Sequence, residues 1–325
     1  MTLHALRLVA DIGGTNARFA LQTQEDGFAD IEVLRGSEHA TIGDALRTYL
    51  QNARGRGLAV DGLRHAAIAI ANPVEGDVVS MTNHHWRFSI EALRQEAGLE
   101  TLLVVNDFAA LAMALPHLGD GGCERVGDGD VGDTSGRPLG LIGPGTGLGV
   151  AGVLPVGGRW IALPGEGGHA SFSPSSRREI GILEAVLDEY GHVSAERMLS
   201  GAGLETIHRV LHGERLAAAD ITAAALSGAN AASLDSVEVF CAILGCVAGN
   251  VALTLGATGG MYIGGGIVPR LGRLFHGSGF RARFESKGRL QPWLARIPTY
   301  VITEPYPALR GAAAMLADQL AGRQA

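Results

Sequence analysis

Val9-Ala10-Asp11-Ile12-Gly13-Gly14-Thr15-Asn16-Ala17-Arg18-Phe19-Ala20-Leu21 is the stretch on which the fold is decided. Residues 6–10 and 18–22 read as the two strands of a hairpin around a Gly-Gly-Thr turn. A second stretch has the same plan: Leu141-Ile142-Gly143-Pro144-Gly145-Thr146-Gly147-Leu148-Gly149-Val150-Ala151. Aligning Thr15 with Thr146 places Gly14 on Gly145, with apolar runs on both sides. Such a turn brings several backbone N–H groups to one point, because glycine lets the chain come close to a ligand. Phosphate oxygens suit that concavity. Two such turns far apart in sequence predict two half-sites gripping a polyphosphate.

Working outward from the first turn, strands and helices alternate. Residues 31–35 form a strand candidate, and 41–53 a helix with Thr41 as N-cap and Ile42, Ala45, Leu46, Tyr49 and Leu50 on one face. Residues 66–71 suit a fully buried strand. Ser89 opens another helix, then a strand over 102–105 ends at Asn106-Asp107, ahead of a helix over 108–115. The alternation predicts an α/β domain with a mixed sheet, whose ligand crevice lies at the C-terminal ends of its strands. Residues 120–138 read as a Gly/Asp-rich surface loop. Within it, Asp128 to Asp133 superficially resembles a calcium loop, but the required glycine falls on Asp133 and the bidentate Glu on Leu139. Helices follow over 179–189 and from about Ser194, then a strand at 261–263 and a final helix over 308–321. Pro305 and Pro307 make an interdomain hinge.

The chain has 325 residues, enough for two domains, since single cores stop growing near ~250–300 residues. Its 48 glycines are about twice average usage without a collagen repeat, and read as turns and close backbone approaches. A net charge of −7, with no basic cluster interleaved with aromatics, argues against nucleic acid or an acidic membrane as partner. Three scattered cysteines, Cys123, Cys241 and Cys246, make no disulfide framework and fit a reducing cytoplasm; the N-terminus shows no signal-peptide pattern. Residues 239–269 carry no charge, and Gly245-Cys246-Val247-Ala248-Gly249 matches a membrane-helix packing pattern. Asn250, Thr254, Thr258 and the glycines that follow favour a core helix of about 18 residues, broken at 256–260.

Asp11 sits at the lip of the first turn, where a carboxylate beside phosphates is tolerated only next to a cation. It either helps hold Mg²⁺ through water or simply fixes the hairpin as an Asx-turn residue. Asp107, at a strand end, either accepts a proton from a hydroxyl that attacks phosphorus or caps the following helix. Pro164-Gly165-Glu166-Gly167-Gly168-His169 offers a carboxylate and an imidazole suited to vicinal hydroxyls. No thiolate group accompanies His169, which argues against zinc. Glu196 reads as a first-turn helix acid. Gly147 to Gly152 fits a dinucleotide fingerprint by spacing but leads into a strand, and no P-loop motif exists. His84-His85-Trp86 reads as structural.

Taken together, the DIGGTNAR string from Asp11, Met81-Thr82-Asn83-His84, Asn106-Asp107-Phe108, Gly145-Thr146-Gly147-Leu148-Gly149, the PGEGGH string from Pro164, the GHVSAER string from Gly191 and Gly264-Gly265-Gly266-Ile267-Val268-Pro269 resemble bacterial glucokinases. The resemblance runs from the N-terminus to the final helix. It implies the actin-like ATPase (ribonuclease H-like) fold of two-domain sugar kinases. A small α/β domain would take residues 1–115 and 306–325, and a larger α+β domain 116–305, the two closing over a cleft to exclude water. It further implies transfer of the γ-phosphoryl group of MgATP to the 6-hydroxyl of glucose, the entry step of glycolysis. Asp107 would be the general base, and Asn106, Asp107, Glu166, His169 and Glu196 would bind the sugar. Asp11, Gly13, Gly14, Thr15, Asn16, Gly145, Thr146 and Gly147 would serve the phosphates and Mg²⁺, and Gly264, Gly265 and Gly266 the adenosine. A cytoplasmic homodimer of the zinc-free branch is implied, with no nucleic-acid or membrane partner. Kinases for fructose, mannose or N-acetylglucosamine, an ATPase of the same fold and a silent sugar sensor are the alternatives.

Overall fold

The first glycine turn closes a hairpin of two long strands, β1 (Arg7–Ile12) and β2 (Asn16–Gln24), paired antiparallel with Asp11 opposite Arg18. This computed structural model describes residues 6–24, 27–82, 84–119, 121–127 and 133–324. The chain divides into two units, Met1–Leu118 with Pro305–Ala325, and Gly119–Glu304.

In the first unit β3 (Gly27–Arg35) extends the hairpin on one side, while β4 (His65–Ile70) and β7 (Thr101–Asn106) extend it in parallel on the other. The sheet order is β3-β2-β1-β4-β7; β5 (Val78–Ser80) and β6 (Arg87–Ser89) form a separate ribbon. Alternation along each strand sends side chains to two layers. Leu8, Ala10, Ile12, Phe19, Ile68 and Ile70 face a core shared with α1 (Ile42–Gly55). The Thr41 side chain and Asp44 cap that helix reciprocally, a capping box that places the buried Ile42, Ala45, Leu46 and Tyr49 on the sheet. Tyr49 stacks on Phe19 at 5.2 Å between centroids and donates its hydroxyl to the Asp30 carbonyl. A second helix, α2 (Ile90–Glu96), is N-capped by Ser89.

On the other face alanines pack together with Leu309 and Leu316. Ala67 and Ala69 meet Ala110 of α3 (Asp107–Ala114) and Ala312 of the C-terminal helix (Pro307–Gln324). A Cβ on Gly311 would collide with the Ala110 carbonyl, so the two helices touch backbone to backbone. The helix that carries Asp107 is therefore clamped by the last segment of the chain.

The second unit contains a six-stranded sheet. β8 (Cys123–Val126), β9 (Leu139–Pro144), β10 (Leu148–Val156), β11 (Arg159–Gly165), β12 (Gly260–Ile263) and β13 (Thr299–Ile302) lie in the order β11-β10-β9-β12-β13-β8. The loop expected over 120–138 is thus interrupted by β8, which pairs antiparallel with β13. Its Glu124 and Arg125 are exposed, so this edge strand has no apolar alternation and only its backbone pairing reveals it. Residues 128–132, most of the calcium-like stretch, lie outside the described residues.

Helices α4 (Arg177–Tyr190), α5 (Ala195–Met198), α6 (Gly201–His212) and α7 (Ala218–Ser227) precede α8 (Ala231–Leu255). The helix expected from Ser194 is a single turn: the backbone leaves helical angles at Leu199, and Ser200 caps α6 through the Gly203 N–H. Among the described residues α8 alone is long and apolar enough to cross a membrane, yet 67% of its most apolar window is buried inside the protein. It has 25 residues, starts at an Asn230 cap and stops at left-handed Gly256. Phe240, Ile243, Leu244 and Ala248 belong to the core of this unit. A Cβ at Gly245 or Gly249 would meet the carbonyl of Phe280 or Phe284. The small-residue pattern therefore serves close packing against a neighbouring short helix.

Candidate active site

Strand register sets the geometry of the first unit. Ile12 lies beside Ile70, and Ile70 beside Asn106, on the three parallel strands. The residues that follow, Gly13, Ala71 and Asp107, therefore leave the same C-terminal sheet edge. At about 4.8 Å per strand, the base of the glycine turn and Asp107 stand roughly 10 Å apart.

The first turn is fixed by its own backbone and by β3's exit. Gly13 N–H donates to the Asn16 carbonyl and Gly36 N–H to the Thr15 carbonyl, both at 2.9 Å, while Gly14 and Thr15 are exposed. Gly36 must be glycine, since a Cβ there would collide with the His84 ring. That ring stacks on His85 and meets Trp86 at a tilt; buried Trp86 donates its indole N–H to the His39 carbonyl at 3.0 Å. The His-His-Trp run is thus a brace behind the turn. Burial lowers the His84 pKa, and neighbouring His85 adds to the effect.

Asp11 forms a 2.9 Å ion pair with Arg18 across the hairpin. Burial pushes its carboxyl above the ordinary value, and Arg18 pulls the other way. The cation that the sequence required beside Asp11 is therefore already supplied by Arg18. No cluster of three or more His, Cys, Asp or Glu side chains able to hold a metal occurs among the described residues. One partly buried carboxylate still fits Mg²⁺, which takes one or two carboxylates and completes its shell with water and substrate phosphates.

At the other end of the edge, Asn106 rather than Asp107 caps α3: its Oδ1 accepts from the Ala109 N–H at 3.0 Å. Asp107 is the first helical residue. Its Oδ1 accepts from the Phe108 N–H at 2.8 Å and from Asn106 Nδ2 at 3.2 Å, which holds the carboxylate in one orientation. The capping alternative for Asp107 thus falls to its neighbour. Asn106 Nδ2 also reaches the Asn72 carbonyl at 3.4 Å, and Asn72 Oδ1 accepts from both the N–H and the hydroxyl of Thr82. Asn72 joins this constellation unforeseen, together with Thr82 of the Met81–His84 string; the signal for Asn72 was Asn72-Pro73 directly after a buried strand.

In the second unit, register places Ile142 beside Ile263, so the second glycine turn and the Gly264–Gly266 loop leave adjacent strands. Gly264 N–H donates to the Ile142 carbonyl and Ile267 N–H to the Pro144 carbonyl. Gly265 has φ +77° and no room for a Cβ against Pro144. The Gly145 carbonyl accepts from the Gly201 N–H at 3.0 Å, which brings the start of α6 to the turn. Glu196 Oε2 accepts from the Leu148 N–H at 2.9 Å. Glu166 and His169 are exposed, with 3.9 Å between carboxylate and imidazole. The segment after them is joined to the Glu196 segment by the Ala195 N–H to Ala170 carbonyl bond (2.8 Å) and by Ser171 Oγ to His192 Nε2 (3.1 Å). The structure thus brings together Asp11, Gly13–Asn16, Asn106 and Asp107 in one unit. It brings together Gly145–Gly147, Gly264–Gly266 and Glu196, with Glu166 and His169 on the adjoining loop, in the other.

A family model described as Glucokinase matches residues 8–319. The chain belongs to the glucokinase family. A glucokinase from Chromobacterium violaceum is 54% identical, with 98% of this chain and 91% of that protein covered. A bifunctional protein glk from Burkholderia pseudomallei is also 54% identical over 98% of this chain, but the chain spans only 49% of its length. A solved glucokinase from an Antarctic psychrotroph superposes with a TM-score of 0.85 at 32% identity, covering 97% of this chain and 99% of that one. The glucokinase-family chain thus has the actin-like ATPase fold of sugar kinases.

Proposed function

We propose that this chain transfers the γ-phosphoryl group of MgATP to the 6-hydroxyl of glucose, releasing glucose 6-phosphate and ADP. The observation that carries the reading is the shared sheet edge, where an oriented Asp107 carboxylate stands two strands from a glycine turn. A phosphoryl transfer needs positioning and charge neutralisation more than covalent chemistry. Asp107 accepts the proton of the attacking hydroxyl, and Asn106 orients Asp107 through its amide. Asn106, Glu166, His169 and Glu196 bind the other hydroxyls, each of which can donate and accept. Backbone N–H groups of the turns at Gly13–Asn16 and Gly145–Gly147 hold the phosphates, and Gly264–Gly266 lies by the adenosine. Mg²⁺, held through water at Asp11, would neutralise phosphate charge; Arg18 keeps that carboxylate in place. We assign the two units as the small and large domains of the sugar-kinase plan. We further propose a cytoplasmic homodimer, in keeping with the free thiols of Cys123, Cys241 and Cys246.

The test is a coupled ADP-release assay with MgATP across glucose, fructose, mannose and N-acetylglucosamine, with Asp107→Ala alongside. Turnover on glucose that is lost in the variant is the expected result. Turnover on another hexose only overturns the substrate, and sugar-independent ATP hydrolysis overturns the kinase reading. Light scattering on the purified protein tests the dimer.

A further inference from the structure

Glu196 bonds to the backbone of a turn assigned to phosphate, an unusual place for an anion. Its position is built in from both sides. The preceding residues are tied to the loop that follows Glu166 and His169, through Phe172 N–H to the Val193 carbonyl and Ala195 N–H to the Ala170 carbonyl, both at 2.8 Å. The residues after it return to the turn through Gly201 N–H to the Gly145 carbonyl. Between these anchors Oε2 takes the Leu148 N–H at 2.9 Å, and a Cβ on Gly147 would lie 2.5 Å from the same oxygen. Gly147 is therefore glycine so that this carboxylate can reach the turn.

We infer that Glu196 is a positioning residue for the second glycine turn, its carboxylate setting the Leu148 N–H while the same group meets the sugar. The inference rests on the sugar and phosphate assignments proposed above. Its physical content is a linkage. A sugar hydroxyl donating to the other carboxylate oxygen fixes the side chain, and the fixed side chain holds the Leu148 N–H and the turn in one arrangement for phosphate. Sugar binding then favours nucleotide binding, and by reciprocity nucleotide favours sugar.

The experiment measures the KM for glucose and for MgATP separately in wild type, Glu196→Ala, Glu196→Asp and Glu196→Gln. Removing the carboxylate in Glu196→Ala raises both constants, MgATP by about 5-fold or more. Glu196→Asp, one methylene too short to reach Leu148, does the same and serves if the alanine variant does not fold. Glu196→Gln keeps an acceptor oxygen for the Leu148 N–H, so it leaves the MgATP constant at the wild-type value and raises only that for glucose. A raised glucose KM with an unchanged MgATP KM in Glu196→Ala or Glu196→Asp overturns the linkage and leaves the sugar assignment standing. No change in either constant overturns the sugar assignment and the linkage with it. Equal damage to both constants in Glu196→Gln overturns the linkage in favour of general loosening.

Discussion

The two glycine turns look alike in sequence but are held in place differently. The first is a hairpin turn, braced from behind by Gly36 and the cluster of His84, His85 and Trp86, with its acid, Asp11, neutralised by Arg18. The second is braced by a backbone contact, Gly265 against Pro144, and its acid, Glu196, bonds directly to the turn. A similar loop can thus be stiffened by aromatic stacking against one glycine or by the chain itself against another. The difference predicts which substitutions each turn tolerates.

The largest effect separates gripping from chemistry. If both turns serve only to hold phosphates, Asp107→Ala lowers kcat by about 10²–10⁴ with the KM for MgATP nearly unchanged in steady-state kinetics. A parallel rise in that KM would place Asp107 in nucleotide binding instead. Next, Gly265→Ala combines a left-handed backbone with a collision against main chain that cannot swing away. Chemical denaturation should show a loss of about 3 kcal/mol or more.

Gly36→Ala collides with a side chain instead, so the loss should be smaller, about 1–3 kcal/mol. Truncating the ring in Gly36→Ala/His84→Ala should restore part of it, a rescue that no side-chain truncation can give Gly265→Ala. Equal losses without rescue would erase the contrast between the two braces.

The smallest effect is a pH dependence at Asp11. Because its folded-state pKa is raised above the ordinary 3.8, this group favours folding most at low pH, and that contribution is lost as pH rises through the folded value. Arg18→Ala removes the pull that limits the rise. Melting temperatures of Arg18→Ala and wild type should lie close near pH 4 and diverge toward neutrality, the variant being the less stable. A constant gap across that range would show that Arg18 does not neutralise Asp11.

Much of this was legible along the chain because local signals carried it. The Thr41 and Ser89 caps, the buried strand before Asn72 and the apolar core helix each announce themselves through neighbours three or four residues away, or through an unbroken apolar run. Where the signal was not local, reading along the chain stopped short. The edge strand Cys123–Val126 shows itself only through its partner Thr299–Ile302. The helix expected from Ser194 is cut at Leu199, and its second half is a new helix begun by Ser200. Asn106 and Asp107 stand side by side, and nothing in their order says which one caps α3; the Ala109 N–H decides for Asn106.

The sequence by itself determined the two glycine turns, the family, the α/β fold and the identity of the candidate groups, because these depend on residue type and short-range spacing. The tertiary structure alone decided which groups stand together. Parallel register put Asp107 on the edge of the first turn, a cross-strand pair gave Asp11 its cation, and a 48-residue return of the chain set Glu196 on the second turn. Contacts of that range are set by packing and strand register, which no local window of sequence contains.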